Sequence, residues 1–112
     1  MDAPAILAAV TTVGDMPAAR QLAQAIVERR LAACVQLSAI ESLYRWDGAV
    51  QHEPEVRLVF KTTEAAWPAL LQAIVALHPY SLPAVHALRL DAVHGPYAQW
   101  VAEQTGADPT AR

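Results

Sequence analysis

Cysteine is nearly missing from this sequence: Cys34 is the only one in 112 residues. No disulfide can form within the chain, which fits a reducing compartment. Lysine is as scarce, with Lys61 alone, and no basic run occurs in a chain of net charge −3. The electrostatic footprint that nucleic acid requires is therefore lacking. No apolar stretch approaches the ~18 residues of a membrane span. The first residues carry Asp2 and no basic side chain, unlike the basic start of a secretory signal. These absences point to a cytoplasmic protein with no nucleic-acid partner and no membrane span. Internal repeats and low-complexity tracts are missing as well, so residues 1–112 read as a single domain with a disordered tail over 107–112.

What is plentiful is apolar surface. Hydrophobic residues make up 54% of the chain, above the ~45–50% usual for soluble domains, although much of the excess is alanine. A chain this small with this composition is expected to hide part of that surface against other subunits.

Periodicity organises the chain as β-α-β-β-α-β-α. Residues 5–12 form a nearly continuous apolar run ending at Gly14-Asp15, the pattern of a buried strand. A helix follows over 16–30, capped by Asp15, with Pro17 in the first turn and Ala19, Leu22, Ala23, Ile26 and Val27 on one stripe. Arg29 and Arg30 then complement its negative end. Strand character runs over 31–46, with a phase slip near Ser38–Glu41 that reads as a bulge. Asp47-Gly48 favours the positive φ angles of a tight hairpin. The returning strand spans 49–62. A second helix covers 64–77, its stripe being Trp67, Leu70, Leu71, Ile74 and Leu77, and His78-Pro79-Tyr80 stops it. A fourth strand over 85–92, a break at Gly95-Pro96 and a short helix over 97–104 complete the order. Two strand–helix–strand halves sharing one antiparallel sheet make an α+β, ferredoxin-like βαββαβ fold with a C-terminal helix. The hairpin arms, about 14 residues each, far exceed the usual ~5–6. Arms that long overhang one small core and offer unpaired edges to another chain.

The runs Arg30-Leu31-Ala32-Ala33-Cys34, Ser42-Leu43-Tyr44-Arg45-Trp46-Asp47-Gly48, Lys61-Thr62-Thr63 and His78-Pro79-Tyr80, in this order and spacing, resemble the CutA divalent-cation tolerance family. Glu55 and Tyr97…Trp100 fit the same pattern, and the resemblance extends from about Ile6 to Glu103. It implies a ferredoxin-like subunit, a homotrimer built through sheet edges and likeness to the PII signalling fold. It also implies tolerance of divalent cations, copper above all, with no settled catalytic activity. Family copper binding through a Cys in the first strand and paired His before Pro-Tyr maps here onto Thr11, Leu77 and His78, and the Glu that follows the next proline is replaced by Ala84. Only His78 keeps a metal-ligating side chain, so the resemblance implies copper or another divalent cation weakly bound.

The residues themselves carry the same mixed message. His52, His78, His86 and His94 contain no i, i+4 pair, and no Cys-x-x-Cys exists. A metal site around His78 would need copies from several subunits. The competing reading of His78 is a helix-end ring bonded to a carbonyl. Cys34 lies among Ala32, Ala33 and Val35, an apolar setting that disfavours the thiolate, so a buried structural thiol is the expected role. Lys61 either holds a small anion or pairs with Glu55 or another acid across the sheet. Trp46, Lys61, His78 and Tyr80 are the candidate ligand-binding set, lining one cleft; the aromatics otherwise serve as interface anchors. Two further functions stay open beside metal tolerance. One is a PII-like sensor binding a small anion between subunits. The other is an enzyme using His78 and Lys61, which is disfavoured because no nucleophile stands beside a base.

Overall fold

The structure, a computed structural model, describes residues 4–106. The elements are β1 (Ile6–Val13), α1 (Met16–Glu28), β2 (Cys34–Trp46), β3 (Ala49–Thr63), α2 (Trp67–Leu77), β4 (Val85–Arg89) and α3 (Gly95–Gln104). The sheet is antiparallel in the order β2-β3-β1-β4, the ferredoxin-like arrangement expected from the element order. The tail expected to be disordered, 107–112, lies outside the described residues.

Side-chain alternation divides the sheet into two faces. Ala9, Val13, Leu58 and Phe60 turn toward α1 and α2, whose Ala19, Leu22, Ile26, Leu70 and Ile74 complete the main core. Ile6 points to the opposite face, where α3 covers it with Ala98 and Val101. Val27 and Leu77, both assigned to buried stripes from sequence, are exposed. Each lies at the last turn of its helix, past the edge of the sheet face that the helix covers.

Local chemistry explains the boundaries. Asp15 Oδ1 accepts the Ala18 N–H at 2.8 Å, capping α1 as its sequence suggests. Leu31 N–H reaches the Ile26 carbonyl at 3.1 Å across Arg30, whose φ is 59°. This is a left-handed helix stop with arginine where glycine is usual. Arg30 does not serve the end of α1 as expected. Its Nη2 donates to the Glu103 carbonyl at 2.6 Å and its Nε to the Gly106 carbonyl at 3.1 Å. It thus satisfies the orphan Glu103 carbonyl in the last turn of α3 and the Gly106 carbonyl just beyond it instead. Helix α2 begins three residues later than the pattern suggests, because Thr63 Oγ1 accepts the Ala66 N–H at 3.2 Å and holds Glu64–Ala66 as a turn. Pro96 does not break α3 but sits in its first turn, where a missing N–H is harmless. Strand β4 is shorter than expected because Leu90 turns toward the α3 cluster.

No bulge interrupts the hairpin. Pairing of β2 with β3 is unbroken from Cys34↔Lys61 to Trp46↔Ala49. The apparent phase slip at Ser38–Glu41 marks the place where β2 leaves the core and its inward positions no longer need apolar side chains. Asp47 (φ 52°) and Gly48 (φ 76°) form the two-residue turn, both with the positive φ of a type I′ hairpin.

Candidate functional site

Strand β1 stops at Val13, opposite Val56, and β4 starts at Val85, opposite Thr11. The hairpin continues well past both. The corner between its outer half and the loop over 79–84 is a cleft of about 810 Å³. Strand β2 contributes Glu41, Tyr44 and Trp46, β3 contributes Glu55, and the loop contributes Tyr80 and Leu82.

The loop is fastened to the end of β1 at two points and braced internally at a third. Thr11 Oγ1 donates to the Ala84 carbonyl at 2.8 Å. His78 Nε2 bonds the Thr12 carbonyl at 2.8 Å, and its Nδ1 accepts the Tyr80 N–H at 3.0 Å. A carbonyl only accepts and an amide N–H only donates, so the ring is neutral with its proton on Nε2. Tyr80 then reaches across Gly14 to donate its hydroxyl to Glu55 Oε2 at 2.9 Å, with its ring tilted against that of His78 at 4.9 Å between centroids. Partial burial and the bond to Glu55 push the Tyr80 phenol up to about 12. Tyr44 is raised as well, by desolvation first and then by Glu53 and Glu55. The field in this corner is negative, and no Lys, Arg or His lines it among the described residues.

The four residues chosen from sequence are therefore not one constellation. Trp46 and Tyr80 line the cleft. His78 is buried behind it, positioning Tyr80. Lys61 sits at the far end of β3, paired in register with Cys34 and six positions from Glu55, or roughly 20 Å at ~3.3 Å per residue. Its Nζ donates to Gln36 Oε1 at 3.1 Å rather than to Glu55. Cys34 is half-buried rather than enclosed. Glu41 and Tyr44, which sequence reasoning did not single out, join the cleft because they lie on the arm carrying Trp46. Their signal was the length of that arm.

Of the positions compared with a family copper site, the Thr11 hydroxyl is committed to Ala84, Leu77 is exposed, and both His78 nitrogens are bonded. Among the described residues no group of three or more His, Cys, Asp or Glu converges on a point that could hold a metal. His52 instead meets Glu41 across the hairpin at 3.1 Å.

A family model described as CutA1 divalent ion tolerance protein matches residues 7–104. The chain belongs to the CutA1 family. The divalent-cation tolerance protein CutA of Thermus thermophilus is 43% identical over 96 residues, covering 85% of this chain and 93% of the relative. Human protein CutA is 39% identical over 101 residues, covering 89% of this chain and 56% of the human protein. Among solved structures, CutA from Synechococcus elongatus superposes with a TM-score of 0.89 at 39% identity, over 95% of each chain. The match to CutA1 members spans all seven elements, including both arms of the hairpin.

Proposed function

We propose that this CutA1 member is a cytoplasmic homotrimer that contributes to divalent-cation tolerance, binds copper or another divalent cation weakly, and catalyses no reaction. The observation that carries the assembly is the outer half of β3. From Ala49 to Glu55 it has β2 on one side and no strand on the other among the described residues. That edge is roughly 23 Å long at ~3.3 Å per residue, and it carries Val50 exposed beside exposed Leu43 and Trp46 on β2. Edges of this kind are paired or covered in stable proteins. Sister chains supply partners without any new element.

His78 supports a weak rather than a strong site. A cation gains an imidazole nitrogen only by displacing the Thr12 carbonyl or the Tyr80 N–H, and the rest of its ligands must come from other subunits. The non-enzymatic reading rests on the same geometry. His78 and Lys61 are far apart, each bonded to neutral groups.

Light scattering tests the assembly: a mass near three times the 12.1 kDa of one chain is expected, and a monomer overturns the reading. Calorimetry with Cu(II) and Zn(II) tests the metal. Binding is expected to weaken in His78→Asn, which keeps a side-chain amide; absence of binding to the wild type ends the metal assignment.

A further inference from the structure

Alternation along β3 turns Val56, Leu58 and Phe60 toward the helices. Glu53, Glu55, Arg57, Val59 and Lys61 therefore share the opposite face. Register sets Tyr44 and Trp46 of β2 on that face too, opposite Gln51 and Ala49. The sign of charge changes once along it. Beyond the last β1 pair, Val13↔Val56, stand two carboxylates, Glu53 and Glu55; inside it stand the guanidinium of Arg57 and the ammonium of Lys61. Strands β1, β2 and β4 bring no other carboxylate to this face.

The two halves are not neutralised within the chain. Neither Glu53, Glu55, Arg57 nor Lys61 takes part in an ion pair among the described residues. Glu55 holds the Tyr80 hydroxyl and Lys61 meets Gln36, both neutral partners. Apolar side chains accompany each half. The acid half has exposed Tyr44 and Trp46. The basic half has Val10 and Val59, half-buried, and Leu88, exposed, on the same face. Aromatic anchors with charge of one sign, facing an apolar floor with charge of the other, are the ingredients of a specific protein interface.

On the reading that sister chains cover the hairpin edge, we infer that the outer hairpin of one chain docks on the open sheet face of the next, with Glu53 and Glu55 against the sister chain's Arg57 and Lys61. A contact between two different surfaces can repeat around a closed ring. Each chain of a trimer then gives one acid half and receives another. The Lys61–acid pair that is missing within one chain is made between chains.

Glu53 and Arg57 are four positions apart on one strand, roughly 13 Å at ~3.3 Å per residue. That is too far for a direct ion pair, so coupling between them is coupling between chains. Glu53→Lys, Arg57→Glu and the double exchange are made in the full chain. Analytical ultracentrifugation gives the concentration at which each assembly dissociates. Each single exchange is expected to raise it at least about ten-fold, because like charges then meet, and the double exchange to return it to within about three-fold of wild type. Unchanged assembly in both single variants overturns the inference. So does a double variant as weak as the two singles combined. If a single variant loses its far-ultraviolet circular dichroism, the wild type alone decides. Its dissociation concentration is expected to rise at least about three-fold between about 0.05 and 0.5 M NaCl as the two halves are screened, and indifference to salt overturns the inference. A wild type that is monomeric at every concentration sinks the assembly reading itself. A trimer indifferent to the exchanges leaves that reading standing and removes only this contact.

Discussion

Tyr80 donates to a carboxylate, and a phenol in that position resists ionisation. Its folded value of about 12 lies above the ordinary value of 10.0. The folded chain therefore keeps a proton that the unfolded chain surrenders near pH 10. The stability this contributes is complete below pH 10 and disappears as pH rises through about 12. Ultraviolet titration at the phenolate band is expected to show a last ionisation step near pH 12, and Tyr80→Phe to remove that last step. The same variant loses a hydrogen bond to a charged acceptor at a partly exposed site, a cost of about 0.5–1.5 kcal/mol measurable by urea unfolding. His78 behaves differently because it is buried and both nitrogens are used. Replacing it with Ala leaves the Thr12 carbonyl and the Tyr80 N–H without their partner and is expected to cost about 2–4 kcal/mol.

At the scale of elements, the hairpin turn and the end of α1 are the places where backbone conformation is demanding. Gly48 has φ 76° with open space around its α-carbon. Gly48→Val meets no steric neighbour yet forces a β-branched residue into the left-handed region, an expected loss of about 1–3 kcal/mol. Arg30 also has positive φ, so Arg30→Gly relaxes the backbone while removing two bonds to the end of α3. Hydrogen exchange is expected to speed up over the last turn of α3 and not over β2; unchanged exchange in α3 contradicts the tethering role. The order and type of these elements were legible because each has its own local signal: the Asp15 cap, the Asp47-Gly48 turn and two well-formed stripes. Boundaries were less so. The start of α2 depends on a single bond from Ala66 to Thr63. The apparent bulge in β2 was a change of surroundings rather than of backbone, which one strand's periodicity cannot distinguish.

For the molecule as a whole, shape carries the argument. The radius of gyration is 15.1 Å, against about 13 Å for a compact domain of this size. The excess is the hairpin, extending the longest dimension to 51 Å. Trp46, 52% exposed near its tip, is a side chain that the proposed assembly would cover. Trp46→Ala is expected to shift the concentration at which the assembly dissociates while leaving the far-ultraviolet circular dichroism of the chain unchanged; parallel loss of both counts against an interface role. The candidate site was half legible in the sequence. Trp46 and Tyr80 stood out as aromatics beside turn signals, and His78 as a helix stop. Their relation to Lys61 and Glu55 did not, because it depends on where β1 ends relative to β3. That difference in strand length separates residues that alternation places on one face.

The uninterrupted ladder of the hairpin also limits how this protein can change its length. Every position from Cys34 to Trp46 is locked to one opposite position, and side chains switch faces with each step. Removing one residue from β3 on the core side of Glu55 would invert the facing of everything between the lesion and the turn, bringing Glu53 and Glu55 to the side now held by Pro54. Viable indels near Asp47-Gly48 are therefore those that add or delete matched residues in both arms, two apiece. Natural variation in reach should come in jumps of roughly 7 Å at ~3.3 Å per residue, and intermediate lengths should be absent from functional descendants.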